Sequence, residues 1–168
     1  MTEPAFGQAK FARNGDVMEA KMKRVLDDSL DRVWVALTDS EELVKWLAPG
    51  EIELWEGGSA KLNFTDSGIV IDSKVTAIEP LSVLEYSWSG PGEPLRPVRW
   101  DMRPKGDEVE LDLTLLMPAS EDAGRSCAGW DAHLEMLAAA LAGVPIKFPF
   151  ELFKAARDAY RVQLAAGD

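Results

Sequence analysis

"PVRWDMRPKGDEVELDLTLL", residues 97 to 116, alternates apolar and polar side chains on either side of a short polar break. Val98, Trp100 and Met102 share one parity against Arg99, Asp101 and Arg103. Val109, Leu111, Leu113 and Leu115 do the same against Glu110, Asp112 and Thr114. A period of two is the side-chain period of a strand, and one apolar row backed by one polar row describes a sheet covered on one face only. The break "PKGD" is turn chemistry. The stretch therefore predicts two antiparallel strands, 97–103 and 108–116.

Upstream, the same period predicts strands at 51–55, 59–65, 69–79 and 83–89, parted by "EGG", "DSG", "EPLS" and "SGPGEPLRP". An earlier strand is expected at 17–26, where Met18, Ala20 and Met22 alternate with Glu19, Lys21 and Lys23. "RNGD" at 13–16 is a hairpin-turn signal, so residues 1–16 read as an extension, a hairpin arm ahead of a single domain over 17–168.

Helical spacing interrupts this pattern. Leu30, Val33, Trp34 and Leu37 stand at i, i+3, i+4 and i+7, with Ser29 as N-cap. A second short helix opens with Thr38-x-x-Glu41, a capping-box pattern, buries Leu43, Trp46 and Leu47, and stops at Ala48-Pro49-Gly50. Downstream, 126–142 carries Cys127, Trp130, Leu134, Leu137 and Leu141 as an apolar stripe ended by Gly143 and Pro145, and 149–165 is again amphipathic.

The 168 residues suffice for one continuous core. The net charge of −11 is spread along the chain; it favours solubility or a basic partner and repels nucleic acid. The apolar runs are too short for a bilayer, so no membrane insertion is expected. "MTEPAFGQAKF" lacks the order of a signal peptide, and Cys127 is the one cysteine. The cytoplasm is the expected compartment, and the sequon Asn63-Phe64-Thr65 reads as accidental.

Few residues offer chemistry. His133, the one histidine, sits at the edge of the apolar stripe, either as a general base or as a hydrogen-bonded packing residue. Asp131, His133 and Glu135 point in different directions on a helix and make no compact metal site. Arg24 shares the inward parity of strand 17–26; it would hold a ligand carboxylate or pair with an internal acid to pin sheet to helices. Gly57-Gly58 reads as a turn, "SGPGEPLRP" as a flexible connector, and Cys127 as inert core. Neither a catalytic residue, a metal site nor a cofactor is assigned.

Particular residues carry a family resemblance. They are Arg24-Val25-Leu26, Val33-Trp34-x-Ala36-Leu37-Thr38-Asp39, Leu43-x-x-Trp46-Leu47-x-Pro49, Gly57-Gly58, and Val75-x-x-Ile78-Glu79-Pro80. Leu84-x-Tyr86-x-Trp88, Arg99-Trp100, Gly129-Trp130 with its leucines through Gly143, and Tyr160 complete the series. In this order they resemble the START-like (SRPBCC) helix-grip superfamily, and within it the AHSA-like group named after the activator of the heat-shock chaperone ATPase, also labelled polyketide cyclase-like. The resemblance implies an α+β fold: a curved antiparallel sheet around a long C-terminal helix, two short helices after the first main strand, and a cavity between sheet and helix. The chain departs from the family pattern at Asp28-Ser29, where Ala-Pro is usual, and at Leu115, Leu116 and Met117, where a polar residue or histidine is common. The second departure makes that end of the cavity greasier.

Such a cavity would be lined by Arg24, Trp46, Phe64, Val75, Tyr86 and Trp88, with Trp100, Met102, Trp130, His133 and Leu137 completing it. Three functions follow. The first is non-catalytic binding of a small hydrophobic or amphipathic molecule. The second is an aromatase/cyclase- or dehydratase-like enzyme using His133, Tyr86 or Arg24. The third is a protein-interaction module with a chaperone partner or as a homodimer.

Overall fold

The stretch 97–116 lies within an eight-stranded antiparallel sheet in the computed structural model, which describes residues 7–64 and 67–166. The elements in chain order are β1 (Lys10–Asn14), β2 (Val17–Leu26), α1 (Leu30–Thr38), α2 (Ser40–Trp46), β3 (Gly50–Ile52), β4 (Ser59–Phe64), β5 (Ile69–Glu79) and β6 (Val83–Ser87). They continue with β7 (Pro97–Lys105), β8 (Glu108–Pro118), α3 (Ala123–Leu141) and α4 (Phe150–Ala166). Strand order across the sheet is β1-β2-β8-β7-β6-β5-β4-β3, so β2 and β8, far apart in sequence, are neighbours. The curved sheet grips α3. This is the helix-grip α+β architecture.

Parity decides which face is dry. Val98, Trp100, Met102, Val109, Leu111, Leu113 and Leu115 are all buried against the helices. On the opposite face, Arg103 pairs with both Glu110 and Asp112 across the β7–β8 register. Gly106 turns that hairpin at φ +61, a left-handed conformation that glycine adopts without a steric penalty.

Several boundaries differ from the sequence reading. Thr38 does not cap α2: it is the last residue of α1, and its hydroxyl donates back to the Trp34 carbonyl at 2.8 Å. Asp39, the first extended residue, takes the N-cap instead and accepts from the Glu41 N–H. β3 spans three residues rather than 51–55, because Glu53 folds back to accept from the Ser59 N–H and hydroxyl. α3 starts at Ala123, where the Asp122 carboxylate accepts from the Arg125 N–H. β1 occupies a stretch with weak patterning and pairs with β2 through the "RNGD" turn, Asn14 opposite Val17. Residues 1–6 of the expected extension, Thr65 of the sequon and the end of strand 59–65 lie outside the described residues.

α4 packs chiefly on α3, and its Tyr160 also meets Phe11 of the edge strand β1. The helices approach so closely that a Cβ built on Gly124 would stand 3.2 Å from the Tyr160 Cβ. α1 and α2 pack toward the other end of α3, where Arg32 Nη2 donates to the Leu141 carbonyl at 3.0 Å.

Candidate functional site

The space between the sheet and the middle of α3 is occupied by aromatic rings. Trp46 and Trp100 meet edge-on with centroids 5.9 Å apart, Trp100 meets Trp130 at 5.6 Å, and Trp130 meets Trp88 at 4.7 Å. Phe64 packs on Trp88 at 5.6 Å and on His133 at 5.9 Å. Edge-to-face contacts at these separations fill volume and add to the energy of burial. Val75, Met102 and Leu137 are buried in the same core. Trp46 Nε1 donates to the Ala36 carbonyl at 2.7 Å, so even its polar edge is used for packing.

The titratable groups of this region are also engaged. His133 Nδ1 lies 2.9 Å from the Trp46 carbonyl, the geometry of a ring N–H donating to that oxygen, and burial holds the imidazole below its ordinary range. Burial raises the Tyr86 hydroxyl to about 12, opposed by a hydrogen bond from Trp100. Cys127, fully buried, is likewise pushed up to about 12 by burial, with the nearby Asp131 adding to it.

Arg24 projects from β2 onto α3. Its Nη2 meets Asp131 Oδ1 at 2.5 Å, while Asp131 Oδ2 accepts from the Tyr160 hydroxyl at 2.5 Å and from the Gly7 N–H at 3.1 Å. The Tyr160 hydroxyl in turn accepts from the Ala9 N–H at 3.3 Å. One buried carboxylate thus ties β2, α3, α4 and the segment before β1 together. Burial raises the Asp131 carboxyl, opposed by Tyr160, Gly7 and Arg24. Of the two roles open to Arg24, the structure displays the pairing with an internal acid. The acid itself has no local signal, since it lies 107 residues away.

Open space lies elsewhere, at the N-terminal end of α3. β6 ends at Ser87 rather than at 89, and β5 shifts register near Val75, its first half pairing with β4 and its second half with β6. The resulting gap is a cleft of about 800 Å³. Its walls are Ile69–Ile71 of β5, Pro97 and Val98 of β7, Leu115–Met117 of β8, and Ser126 and Trp130 of α3, with Trp88 and the 90–96 loop between. Of the eleven residues proposed from sequence, Trp88 and Trp130 line this cleft. Leu115, Leu116 and Met117, whose apolar character departs from the family pattern, form one side of it.

The "SGPGEPLRP" segment is a built wall rather than a free connector. Ser87 Oγ accepts from the Arg96 N–H at 2.8 Å and shares a 2.7 Å hydrogen bond with Ser89 Oγ. The Ser87 carbonyl accepts from Ser73 Oγ at 2.6 Å, and the Glu93 carboxylate accepts from the Gly90 N–H at 2.5 Å. Arg96 Nε then crosses to Glu121 Oε1 at 2.6 Å, joining this loop to the β8–α3 connection at the rim. Sequence reasoning missed Arg96, Glu93 and Glu121, because a charge in a connection between elements carries no periodicity. Among the described residues, no three His, Cys, Asp or Glu side chains come together to hold a metal ion, and no helix is long and apolar enough to cross a membrane.

The family model described as activator of Hsp90 ATPase homolog 1-like protein matches residues 27–142. No curated protein sequence matches the chain. Among solved structures, the conserved protein of unknown function EF2215 from Enterococcus faecalis superposes with a TM-score of 0.79 at 18% identity, over 96% of this chain and 92% of that one. The protein encoded by BPP1335 from Bordetella parapertussis gives a TM-score of 0.70 at 29% identity, over 95% and 94%. DynU16, a protein of the dynemicin biosynthetic locus, gives 0.68 at 25% identity, over 76% of this chain and 48% of that one. With more than half of its length matched by the family model, and its fold shared with these structures, the chain belongs to the activator of Hsp90 ATPase homolog 1-like family within the START-like superfamily.

Proposed function

We propose that this protein binds, without transforming it, a small and mostly apolar molecule in the cleft between the sheet and the N-terminal half of α3. The observation that carries this reading is the cleft itself. Its volume of about 800 Å³ falls in the range of small-molecule sites, and its walls include Ile71, Val98, Leu115, Met117 and two tryptophans alongside the polar Ser126, Glu93, Arg96 and Glu121. DynU16, whose fold is shared, comes from a biosynthetic locus, which agrees with small-molecule work.

The catalytic reading receives less support. His133, Tyr86 and Arg24, the groups considered for proton transfer, do not line the cleft, and each is committed to an internal contact. A chaperone-partner module is expected to have an exposed apolar or charged patch and a filled core with a cavity too small for a ligand. The middle of the grip is filled, yet the cleft opens beside it, and that favours a ligand. We place this binding in the cytoplasm, in keeping with a single cysteine that is buried and not in a disulfide.

The test is titration with an uncharged naphthalene probe, followed by tryptophan fluorescence under native conditions. Micromolar binding and quenching are expected. Val70→Trp, which places a bulky ring at an exposed position of the cleft wall, should abolish binding and leave the melting temperature unchanged. Trp55→Ala, on an exposed turn, should alter neither. Binding that survives Val70→Trp would overturn the assignment of the site.

A further inference from the structure

Resting on that reading, we infer that the ligand is an organic cation: an apolar body carrying one protonated amine or quaternary ammonium. The charged side chains lining the cleft are Arg96, Glu93 and Glu121, two carboxylates against one guanidinium. Arg96 is already matched, its Nε held by Glu121 Oε1 at 2.6 Å, with both side chains only 29% exposed. An anionic headgroup on the remaining N–H groups of Arg96 would place a third carboxylate-like charge beside Glu121 and Glu93, around a single guanidinium.

The helix end nearby gives an anion no better welcome. The N-terminus of α3 is capped by its own Asp122, whose carboxylate accepts from the Arg125 N–H at 3.0 Å. The rim therefore carries one formal negative charge in excess, within a chain of net charge −11. Glu93 supplies that excess. One of its oxygens accepts from the Gly90 N–H, and the residue remains exposed toward solvent. Half-buried Trp88 lines the same cleft, and indole faces attract ammonium groups within about 6 Å. A cation in this cleft would have a carboxylate and an indole among its lining groups, and its apolar part would have Ile71, Val98 and Leu115.

Three probes of one shape separate the possibilities: 1-naphthylmethylamine, 1-naphthylmethanol and 1-naphthoate, each titrated by calorimetry into the whole protein at low salt and again in about 0.5 M salt. The amine should bind at least about tenfold more tightly than the carboxylate, with the alcohol between, and the gap should shrink in high salt. Glu93→Gln keeps an acceptor for the Gly90 N–H and removes the charge. It should weaken the amine severalfold, leave the alcohol unchanged and preserve the melting temperature. Equal binding of amine and alcohol, or a preference for the carboxylate, overturns the cation assignment while the ligand-binding reading stands. An amine preference unmoved by Glu93→Gln overturns the role given to Glu93 and with it this inference. Failure of all three probes to bind overturns both.

Discussion

Replacing Tyr160 by phenylalanine removes a single oxygen from a fully buried side chain, and the structure sets what that oxygen does. It donates to Asp131 Oδ2 at 2.5 Å and accepts, at a long 3.3 Å, from the Ala9 N–H. The ring keeps its edge-on contact with Phe11, centroids 5.7 Å apart, so no cavity larger than the lost atom opens. A hydrogen bond to a charged group contributes about 1.5–3 kcal/mol. Ala9 is itself buried, so its N–H loses an acceptor that water does not replace and adds to the cost, at about 1 kcal/mol for so long a bond. The expected loss is therefore about 2.5–4 kcal/mol, a fall in melting temperature of about 5–16 °C for a chain of this size.

The loss should also depend on pH. Burial already raises the Asp131 carboxyl in the folded state. A raised folded pKa means that protonation favours the native state: this contribution is complete below the unfolded carboxylate range and is lost as pH climbs through the folded value. Without the Tyr160 hydroxyl the carboxyl rises further, so the penalty grows toward neutral pH and shrinks in acid. Urea titrations followed by tryptophan fluorescence at several pH values measure it, and a cycle with Asp131→Asn isolates the pair. A loss below about 0.5 kcal/mol, or one independent of pH, would refute the view that this hydroxyl completes the buried network.

Two further outcomes are expected. His133 is held below its ordinary 6.5 by burial, so its contribution to stability is complete above that value and is lost as pH falls; relative to His133→Gln, the wild type should lose at most about 1.4 kcal/mol between neutrality and about pH 5.5, and a flat difference between the two urea curves would show the ring to be solvated. Ser87→Ala leaves the Arg96 N–H without its acceptor and should cost about 1–3 kcal/mol, with hydrogen exchange accelerating in residues 89–97 ahead of the rest of the sheet; uniform acceleration would show that Ser87 does not tether the cleft wall.

Much of the architecture was legible before any tertiary contact was known. The alternation through β7 and β8 and the stripe of Cys127, Trp130, Leu134 and Leu137 on α3 are periodicities between near neighbours in the chain. Burial then follows them. Caps were harder, because Thr38 and Asp39 are both good N-cap residues, and the choice between them depends on how far α1 runs. β1 was nearly invisible. As a mostly exposed edge strand it needs no apolar row, and its pairing with β2 is specified by the turn between them.

The site divides along the same line. Parity and helical phase, both local, assign Trp88, Trp100, Tyr86 and Trp130 to inward faces and His133 to the edge of the helical stripe. Whether inward aromatics line a void or fill it was decided only in three dimensions. A cavity is the difference between the volume that the sheet and α3 enclose and the volume that their side chains occupy, and here the rings of Trp46, Trp100 and Trp130 meet edge to face and use that space up. The cleft survives near the start of α3, where β6 stops at Ser87 and the tethered 90–96 loop walls it, an outcome of strand lengths. Its rim pairs Arg96 with Glu121, and the buried network pairs Arg24 with Asp131 across 107 positions. Ion pairs of that kind are chosen by the fold's topology, because Coulombic attraction acts on distance in space, which the order of residues along the chain does not contain.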